Sequence, residues 1–464
     1  MQKAILLLVA LISSYFLAQG QYKVTYKQLK GLEGLYEYEN NTTLKMAASP
    51  KDTILYAILG ESKYPLKAYS EDEFIDLSNN KVKFQRNNSG VVTGYTKGAD
   101  TFKIIKRNIL LPLEMWYPRL EANKFNYQYR QPAKRNDGVP TGDITKTPLD
   151  TSLLGTMMHK IVNGTYKDVH SVLIIKDGKL VFEEYFYEYD ENSLHQLRSA
   201  SKSFVSALTG IAIDKGLIKS KYEKVLSYFP EYTLKNNSVS KNKITIENLL
   251  ANQSGLDCDI SNDKSEGNET VMNHSDDWVK FTLDLPMIDS AGGKGMYCSG
   301  NPIVLKRIIE KASGKKFSDF ANENLFEPLG IRNFKWNFKP DKSSANDFTQ
   351  LYLRPRDMAK FGVLYLNGGN YNGKQIVNSD WVKQSITKHS VIQNVDYGYL
   401  WWLKYLNADG VRYNGIVAQG NGGQKIYIWP DQNMVTVITG GNYNVQSPSD
   451  ELIRKFILPA FNKK

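Results

Sequence analysis

Cysteine is scarce in this chain. Two residues in 464 are too few for a disulfide-stapled mini-domain or a four-cysteine zinc site. The five histidines (His159, His170, His195, His274 and His389) are scattered, none in a metal-ligand spacing. There is no G-x-S-x-G elbow, no H-E-x-x-H, no Walker loop and no C-x-x-C. A Ser-His-Asp hydrolase and a histidine-based metalloenzyme are therefore poor readings, and no metal or cofactor is expected. Past the N-terminus no stretch reaches 18 apolar residues, which excludes a later membrane-spanning helix. A long basic block is also missing: 59 Lys and Arg are interspersed with 48 Asp and Glu, so the net charge of +11 does not mark a nucleic-acid arm. It fits contact with anionic cell-envelope material. No internal repeat or low-complexity tract occurs.

With 41% hydrophobic residues the chain can bury a sizeable core. At roughly 150 residues per domain, two or three folded units are expected. Residues 1–20 carry a charged start (Lys3), an apolar stretch from Ala4 to Leu17, and small residues Ala18 and Gly20. That is the pattern of a signal peptide, and no cysteine follows to take a lipid. Export to the periplasm or medium is the expectation, and it permits a disulfide.

Residues 21–107 read as strands only. Gly34–Tyr38, Thr53–Ile58, Val82–Gln85 and Phe102–Lys106 carry β-branched and aromatic residues between Asn, Gly, Ser and Asp clusters. A small all-β barrel or sandwich in an accessory role is predicted. Residues 108–143 mix Pro, Asn, Gln and Arg and read as a linker. From Ile144 to Lys464 the pattern becomes α+β. Strands Ser171–Lys176 and Lys179–Glu184 flank Asp177-Gly178, a two-residue hairpin signal. Helical periodicity follows at Lys202–Lys215, Ile303–Ala312, Arg356–Leu366 and Glu451–Phe461. Gly216 and Gly314 sit where C-caps belong, Ser318 and Ser449 where N-caps belong. Strands Lys425–Trp429 and Met434–Ile438 close the chain. Strands at both ends imply one antiparallel sheet in which the termini of this region meet.

A serine can be activated by a lysine one helical turn away, provided the amine is buried. Ser-x-x-Lys occurs at Ser78, Ser199, Ser238, Ser240, Ser261, Ser313 and Ser385, so the pattern alone carries little. Context separates them. Ser199-Ala-Ser-Lys202 runs into a small, apolar stretch to Ile213 that reads as a buried helix. Ser238-Val-Ser-Lys241 runs into a polar loop, and the others are polar turns or helix ends. The same spacing also suits an N-cap serine with a snorkelling lysine. A second element is the glycine-rich loop Ala291 to Asn301, which contains Tyr297-Cys-Ser299; a tyrosine there either relays a proton or simply packs. A third is Ala418-Gln-Gly-Asn-Gly-Gly-Gln424, whose glycines either open a backbone N–H toward an oxyanion or serve a turn.

In this order the three elements resemble those of the serine β-lactamase-like hydrolases, a family that includes class C β-lactamases, DD-peptidases, esterases and aminohexanoate-dimer (nylon-oligomer) hydrolases. Val172–Phe186, Arg198–Ser203, Ile244–Leu256, Leu325–Gly330 and Tyr397–Trp402 share its habits, over about 144–464. The Tyr-x-Ser-Gly form and the Gly-Gly-Gln segment look most like the aminohexanoate-dimer-hydrolase branch. The resemblance implies an antiparallel sheet flanked by helices, with a helical subdomain over the site. It makes Ser199 the acylated nucleophile, Lys202 the base and Tyr297 a proton relay with Ser299 beside it. The oxyanion hole falls to the Ser199 N–H and the segment Gly420, Asn421 and Gly422. It also brings Cys258 and Cys298 to the rim of the site, where export permits a disulfide whose closed loop is nominally worth about 4 kcal/mol; two buried free thiols are the other reading. The Lys-Thr-Gly box of β-lactamases is absent, as is Ser-Asp-Asn, which fits a less anionic ester or amide better than a β-lactam. A DD-peptidase acting on peptidoglycan peptides and a non-catalytic envelope-binding relative are the other readings.

Overall fold

The computed structural model describes residues 22–39, 41–147, 149–260, 262, 264–336 and 351–461. The predicted signal peptide, 1–20, and the Ser-x-x-Lys match at Ser261 lie outside them. The chain divides into two compact units, one running to Pro112 and the other beginning at Leu113.

In the first unit eight antiparallel strands follow one another and close on themselves: β1 (Gly34–Tyr38), β2 (Thr42–Ala48), β3 (Leu55–Leu59), β4 (Ser62–Ala68), β5 (Glu73–Ile75), β6 (Lys81–Arg86), β7 (Val92–Lys97) and β8 (Asp100–Lys106). Alternation drives it. In β6, Val82 and Phe84 are buried while Lys81, Lys83 and Gln85 stay exposed. Inside, Tyr36, Phe74, Phe84, Tyr95 and Phe102 pack with ring centroids 5.0 to 6.1 Å apart. Pairing of β1 with β8 removes the open edges that a flat sheet would leave. The expectation of strands alone needs one correction. Helix α1 (Tyr26–Lys30) precedes β1, held by a Thr25–Gln28 capping box. Five residues are too few to show a helical period.

The second unit is built on an eight-stranded antiparallel sheet. Its strands are β9 (Val169–Lys176), β10 (Lys179–Tyr185), β11 (Ser390–Ile392), β12 (Val395–Tyr397), β13 (Trp402–Ala408), β14 (Val411–Gly420), β15 (Gln424–Trp429) and β16 (Met434–Gly440). Their order is β10-β9-β16-β15-β14-β13-β12-β11. The first hairpin thus joins the last strand, Val172 opposite Ile438, as the sequence implies. Asp177 (φ 50°) and Gly178 (φ 75°) make the tight turn between β9 and β10, both in the left-handed region that such hairpins use.

The longer helices are α2 (Thr151–Val162), α3 (Ser201–Asp214), α4 (Gly300–Ser313) and α5 (Pro355–Leu366). α5 packs on β15 and β16 through Gly362, where an added Cβ would lie 2.5 Å from Val435. α3 packs against α4 and β14. Ser318 and Ser449 are not N-caps; each is already inside its helix, behind Lys316 and Pro448. The last helix is broken rather than continuous: a π turn at Ile453–Ile457 precedes Leu458–Ala460, where Pro459 has no N–H to give. From Leu113 the segment read as a linker is held within this unit. Tyr129 Oη accepts from the Ile144 N–H (2.9 Å) and donates to the Val181 carbonyl (3.1 Å), and Asp137 pairs with Arg356 at 2.9 Å. Among the described residues no helix is long and apolar enough to cross a membrane.

Candidate active site

Residues Arg198–Ala200 form a 3-10 turn that runs directly into α3. The turn is fixed from behind, because the Leu197 N–H donates to the Leu351 carbonyl at 2.9 Å. Arg198 has φ 49°, a left-handed conformation that a non-glycine residue adopts only where its surroundings impose it. Every residue of α3 from Ser201 to Ala212 is buried. The sequence explains how: Phe204 stacks on Phe361 at 3.7 Å, and Gly210 lets Trp381 come so close that a Cβ would lie 2.2 Å from its ring. The Trp381 indole N–H then donates to the Ser206 carbonyl at 3.0 Å. In the first turn of this helix Lys202 is 9% exposed, and its Nζ donates to Ser199 Oγ at 2.8 Å. The i, i+3 spacing has put amine and hydroxyl on one face.

The glycine-rich loop before α4 is stitched to the segment after Leu250. Asn252, itself at φ 55°, accepts from Asn301 Nδ2 (2.9 Å) and the Cys298 N–H (3.4 Å) through Oδ1, and from the Met296 N–H through its carbonyl (2.8 Å). Cys258 and Cys298 form a disulfide, with Cα atoms 5.2 Å apart and a sequence separation of 40. Tyr297 rests against Trp402 (5.3 Å) and edge-on to Tyr397 (6.3 Å). What it presents to Lys202 is its ring face, with Nζ 5.2 Å from the centroid. Its hydroxyl has no hydrogen bond to Ser199 or Lys202. Ser299 Oγ donates to Glu269 Oε2 at 3.1 Å.

The third element is part strand and part turn. Ala418 to Gly420 finish β14, paired with β15 but beyond the last β13 pair, Trp402 with Val417. Gly420 lies under the nucleophile turn, where a Cβ would come 2.1 Å from the Leu197 carbonyl oxygen. Gly422 turns the chain at φ 91°, with a Cβ position 2.7 Å from the Tyr443 ring. Asn421 is fixed by Asn444, donating to its side-chain oxygen at 2.7 Å and accepting from its N–H at 2.9 Å.

A cavity of about 80 Å³ opens beside Ser199. Of the residues singled out in the sequence, Ser199, Lys202, Ser299 and Asn421 line it, and Tyr297, Gly420 and Gly422 do not. Three charged residues missed in the sequence line it as well: Arg198, Glu269 and Lys306. Glu269 arrives on a short helix whose approach crosses the disulfide at Gly267, where a Cβ would lie 2.6 Å from Cys258. Lys306 is 2% exposed. Burial, and then the charge of Lys202, push its ammonium down to about 7. A signal for it exists in the sequence: Ser299, Pro302, Ile303 and Lys306 follow the i, i+3, i+4, i+7 stripe of one helix face.

Sheet, flanking helices and serine-lysine pair define a serine-hydrolase fold. The chain belongs to the Beta-lactamase family, whose profile matches residues 168–454. That family of serine hydrolases has esterases, amidases and DD-peptidases among its members. Over 294 residues the chain is 24% identical to the 6-aminohexanoate-dimer hydrolase of Paenarthrobacter ureafaciens, a match covering 57% of this chain and 70% of that one. It is 23% identical over 304 residues to an uncharacterised protein of Alkalihalophilus pseudofirmus, covering 58% and 82%. Among solved structures it is similar to EstCE1, a hydrolase with promiscuous acyltransferase activity, at a TM-score of 0.55 and 13% identity over 67% of this chain and 98% of that one.

Proposed function

We propose that the protein is an exported serine hydrolase that cleaves small ester or amide bonds through an acyl-enzyme on Ser199. The observation that carries this reading is the 2.8 Å contact between Lys202 Nζ and Ser199 Oγ in a nearly dry helix start. With its amine uncharged, Lys202 takes the serine proton along that contact as Oγ attacks the substrate carbonyl carbon. The negative charge then developing on the carbonyl oxygen faces the N–H groups of Ser199 and of the Asn421 turn. The N-terminal end of α3 favours the same charge. The leaving group departs with the proton that Lys202 took from Ser199; for Tyr297 to relay it, its hydroxyl must turn toward the amine, which in the resting site lies over the ring face, Nζ 5.2 Å from the centroid. Water then cleaves the acyl-serine by the reverse transfers.

Fluorophosphonate labelling with peptide mass spectrometry tests the reading, together with p-nitrophenyl acetate turnover. A Ser199 adduct and measurable ester hydrolysis are expected; no adduct anywhere between pH 6 and 9 would favour a binding module. A panel of acyl esters, linear amides, D-amino-acid peptides and a chromogenic cephalosporin should rank esters above the cephalosporin. Preference for the D-peptides would make the enzyme a DD-peptidase.

A further inference from the structure

Lys306 has no part in the acyl transfer just described, yet it faces the same cavity. Its side chain runs between Trp336 and Phe317, the Nζ 5.1 Å and 5.7 Å from their ring centroids. These rings hold a cation by their negative faces while shutting out water. Helix α4 delivers it from Ser299 in two turns along one face, so Ser299 at the helix start and Lys306 further down are exposed to one bound molecule. Arg198 joins from the nucleophile turn, its guanidinium resting 4.9 Å over the Tyr443 ring. Setting aside Lys202, which acts as the base, the lining thus carries the cations Arg198 and Lys306 against one carboxylate, Glu269, which already accepts from Ser299. Several water-sized groups fit within 80 Å³. The absence of a Lys-Thr-Gly box at the third element fits a less anionic ester or amide. The fold nevertheless supplies positive charge from another helix.

We propose that this cavity is a subsite for a carboxylate group on the substrate, with Lys306 as the specificity-determining residue. The preferred substrates are then esters or amides that carry a free carboxylate within a few bonds of the scissile carbonyl. This rests on the serine-hydrolase reading for its chemistry, but the binding of the anion does not depend on turnover. An anion between Lys306 and Arg198 gains charge-assisted hydrogen bonds in a water-poor site, where such bonds are strongest.

Among the described residues, Lys202 on α3 and Glu310 on α4 act on the charge of Lys306, and Arg198 on the turn and Glu269 on its short helix line the same cavity. Glu310 is itself engaged by Arg307 at 2.7 Å and by the Phe317 N–H at 2.9 Å. Lys306 holds its proton below about pH 7 and loses it above, so carboxylate recognition is complete in mild acid and fades in mild alkali. A bound anion favours the protonated form and moves that fading upward.

The test compares 4-nitrophenyl butyrate with mono-4-nitrophenyl succinate, which differ by a terminal methyl or carboxylate. The intact enzyme should favour the succinate ester at least tenfold in kcat/KM at pH 6.5, with the ratio falling toward one by pH 9. Lys306→Met should lower the ratio at pH 6.5 about tenfold, and Lys306→Arg should restore a preference that no longer declines with pH. Glutarate binding to the Ser199→Ala protein, read by calorimetry, reports the subsite without catalysis and should weaken about tenfold when Lys306→Met is added. A wild-type ratio of one or less, or a ratio that Lys306→Met leaves unchanged, overturns the proposal. Glutarate bound by Ser199→Ala in a protein that hydrolyses neither ester would sink the hydrolase reading and keep the subsite. Should Lys306→Met fail to fold, the wild-type ratio and its pH dependence still decide.

Discussion

Two Ser-x-x-Lys segments of this protein bury their lysine, and they do opposite things with it. Lys202 directs its amine at Ser199 Oγ beside an open cavity. Lys241, with no exposed surface, donates to the carbonyls of Leu283 (2.7 Å) and Leu285 (2.6 Å), at the C-terminal end of the helix Trp278–Asp284. There the serine serves only the backbone: Ser238 Oγ accepts from the Lys241 N–H at 3.1 Å. Spacing and burial are common to both. What differs is the backbone around the pair and what the amine meets. Ser199 lies on the lead-in to a long helix, so the two side chains rise from one face. Ser238 precedes the short turn Lys241–Lys243, and its lysine finds two unpaired helix-end carbonyls before it finds a hydroxyl. A buried amine becomes a base only where nothing better than the nucleophile is within reach.

The largest test of this contrast is to remove each pair. Ser199→Ala should lower ester turnover about 10⁴-fold or more and Lys202→Met about 10²- to 10⁴-fold, with the melting temperature nearly unchanged. Lys241→Met should do the reverse. It strands two buried carbonyls and should cost about 2–4 kcal/mol of stability, while turnover per folded molecule stays at the wild-type value. Kinetics normalised by active-site titration, beside denaturant melts, check both. If Lys241→Met abolished turnover in folded protein, the contrast would break.

Next in size is the disulfide. Its closed loop of 40 residues corresponds to about 4 kcal/mol, and reduction also frees the Tyr297 loop and the approach to Glu269. Cys258→Ser with Cys298→Ser should unfold at markedly lower denaturant and lose turnover before global unfolding. Simultaneous loss of both would show that the bond staples the fold rather than the site. Gly420→Ala comes third. A Cβ 2.1 Å from the Leu197 oxygen must push the end of β14 off the nucleophile turn, and a displacement of that order costs about 10²-fold in turnover. Retained wild-type kcat would mean the turn does not lean on that strand.

Much of this was legible in the sequence, and the parts that were not share a cause. The hairpin at Asp177-Gly178, the buried helix after Ser199 and the strands at both ends of the second unit rest on local signals: turn residues, small apolar runs, alternation. The disulfide was read through the family resemblance, not from spacing. Closure of the barrel between β1 and β8 was not legible, because it pairs residues some 70 positions apart through a register that no local pattern carries. Lys306 escaped because a lysine beside Arg307 in a helix reads as a solvated face; only the stripe from Ser299 marks it as inward. Glu269 reaches the cavity at the start of a short helix whose approach is set by Gly267 crossing the disulfide. The ring-face contact between Tyr297 and Lys202 depends on how Trp402 and Tyr397 pack, which is tertiary information.

The smallest predicted effect probes the second lysine through pH. Burial pushes the Lys241 ammonium down to about 8 despite the nearby charge of Asp284, while in the unfolded chain it titrates near its ordinary 10.4. Between about pH 8 and 10.5 the unfolded chain therefore binds more protons at this position than the folded one. Stability contributed here must rise with pH across that window and be flat below it. The neutral amine keeps two N–H donors for the two carbonyls, so nothing is lost when the proton leaves. Melts of the wild type and Lys241→Met at pH 7, 9 and 10 should show the stability gap between them widening with pH, since the variant lacks the group while all other titrations are shared. A gap that narrows instead would mean that the carbonyls of the helix end hold the ammonium charged. In that case Lys241 would be a helix-end cation, and its likeness to Lys202 would stop at being buried.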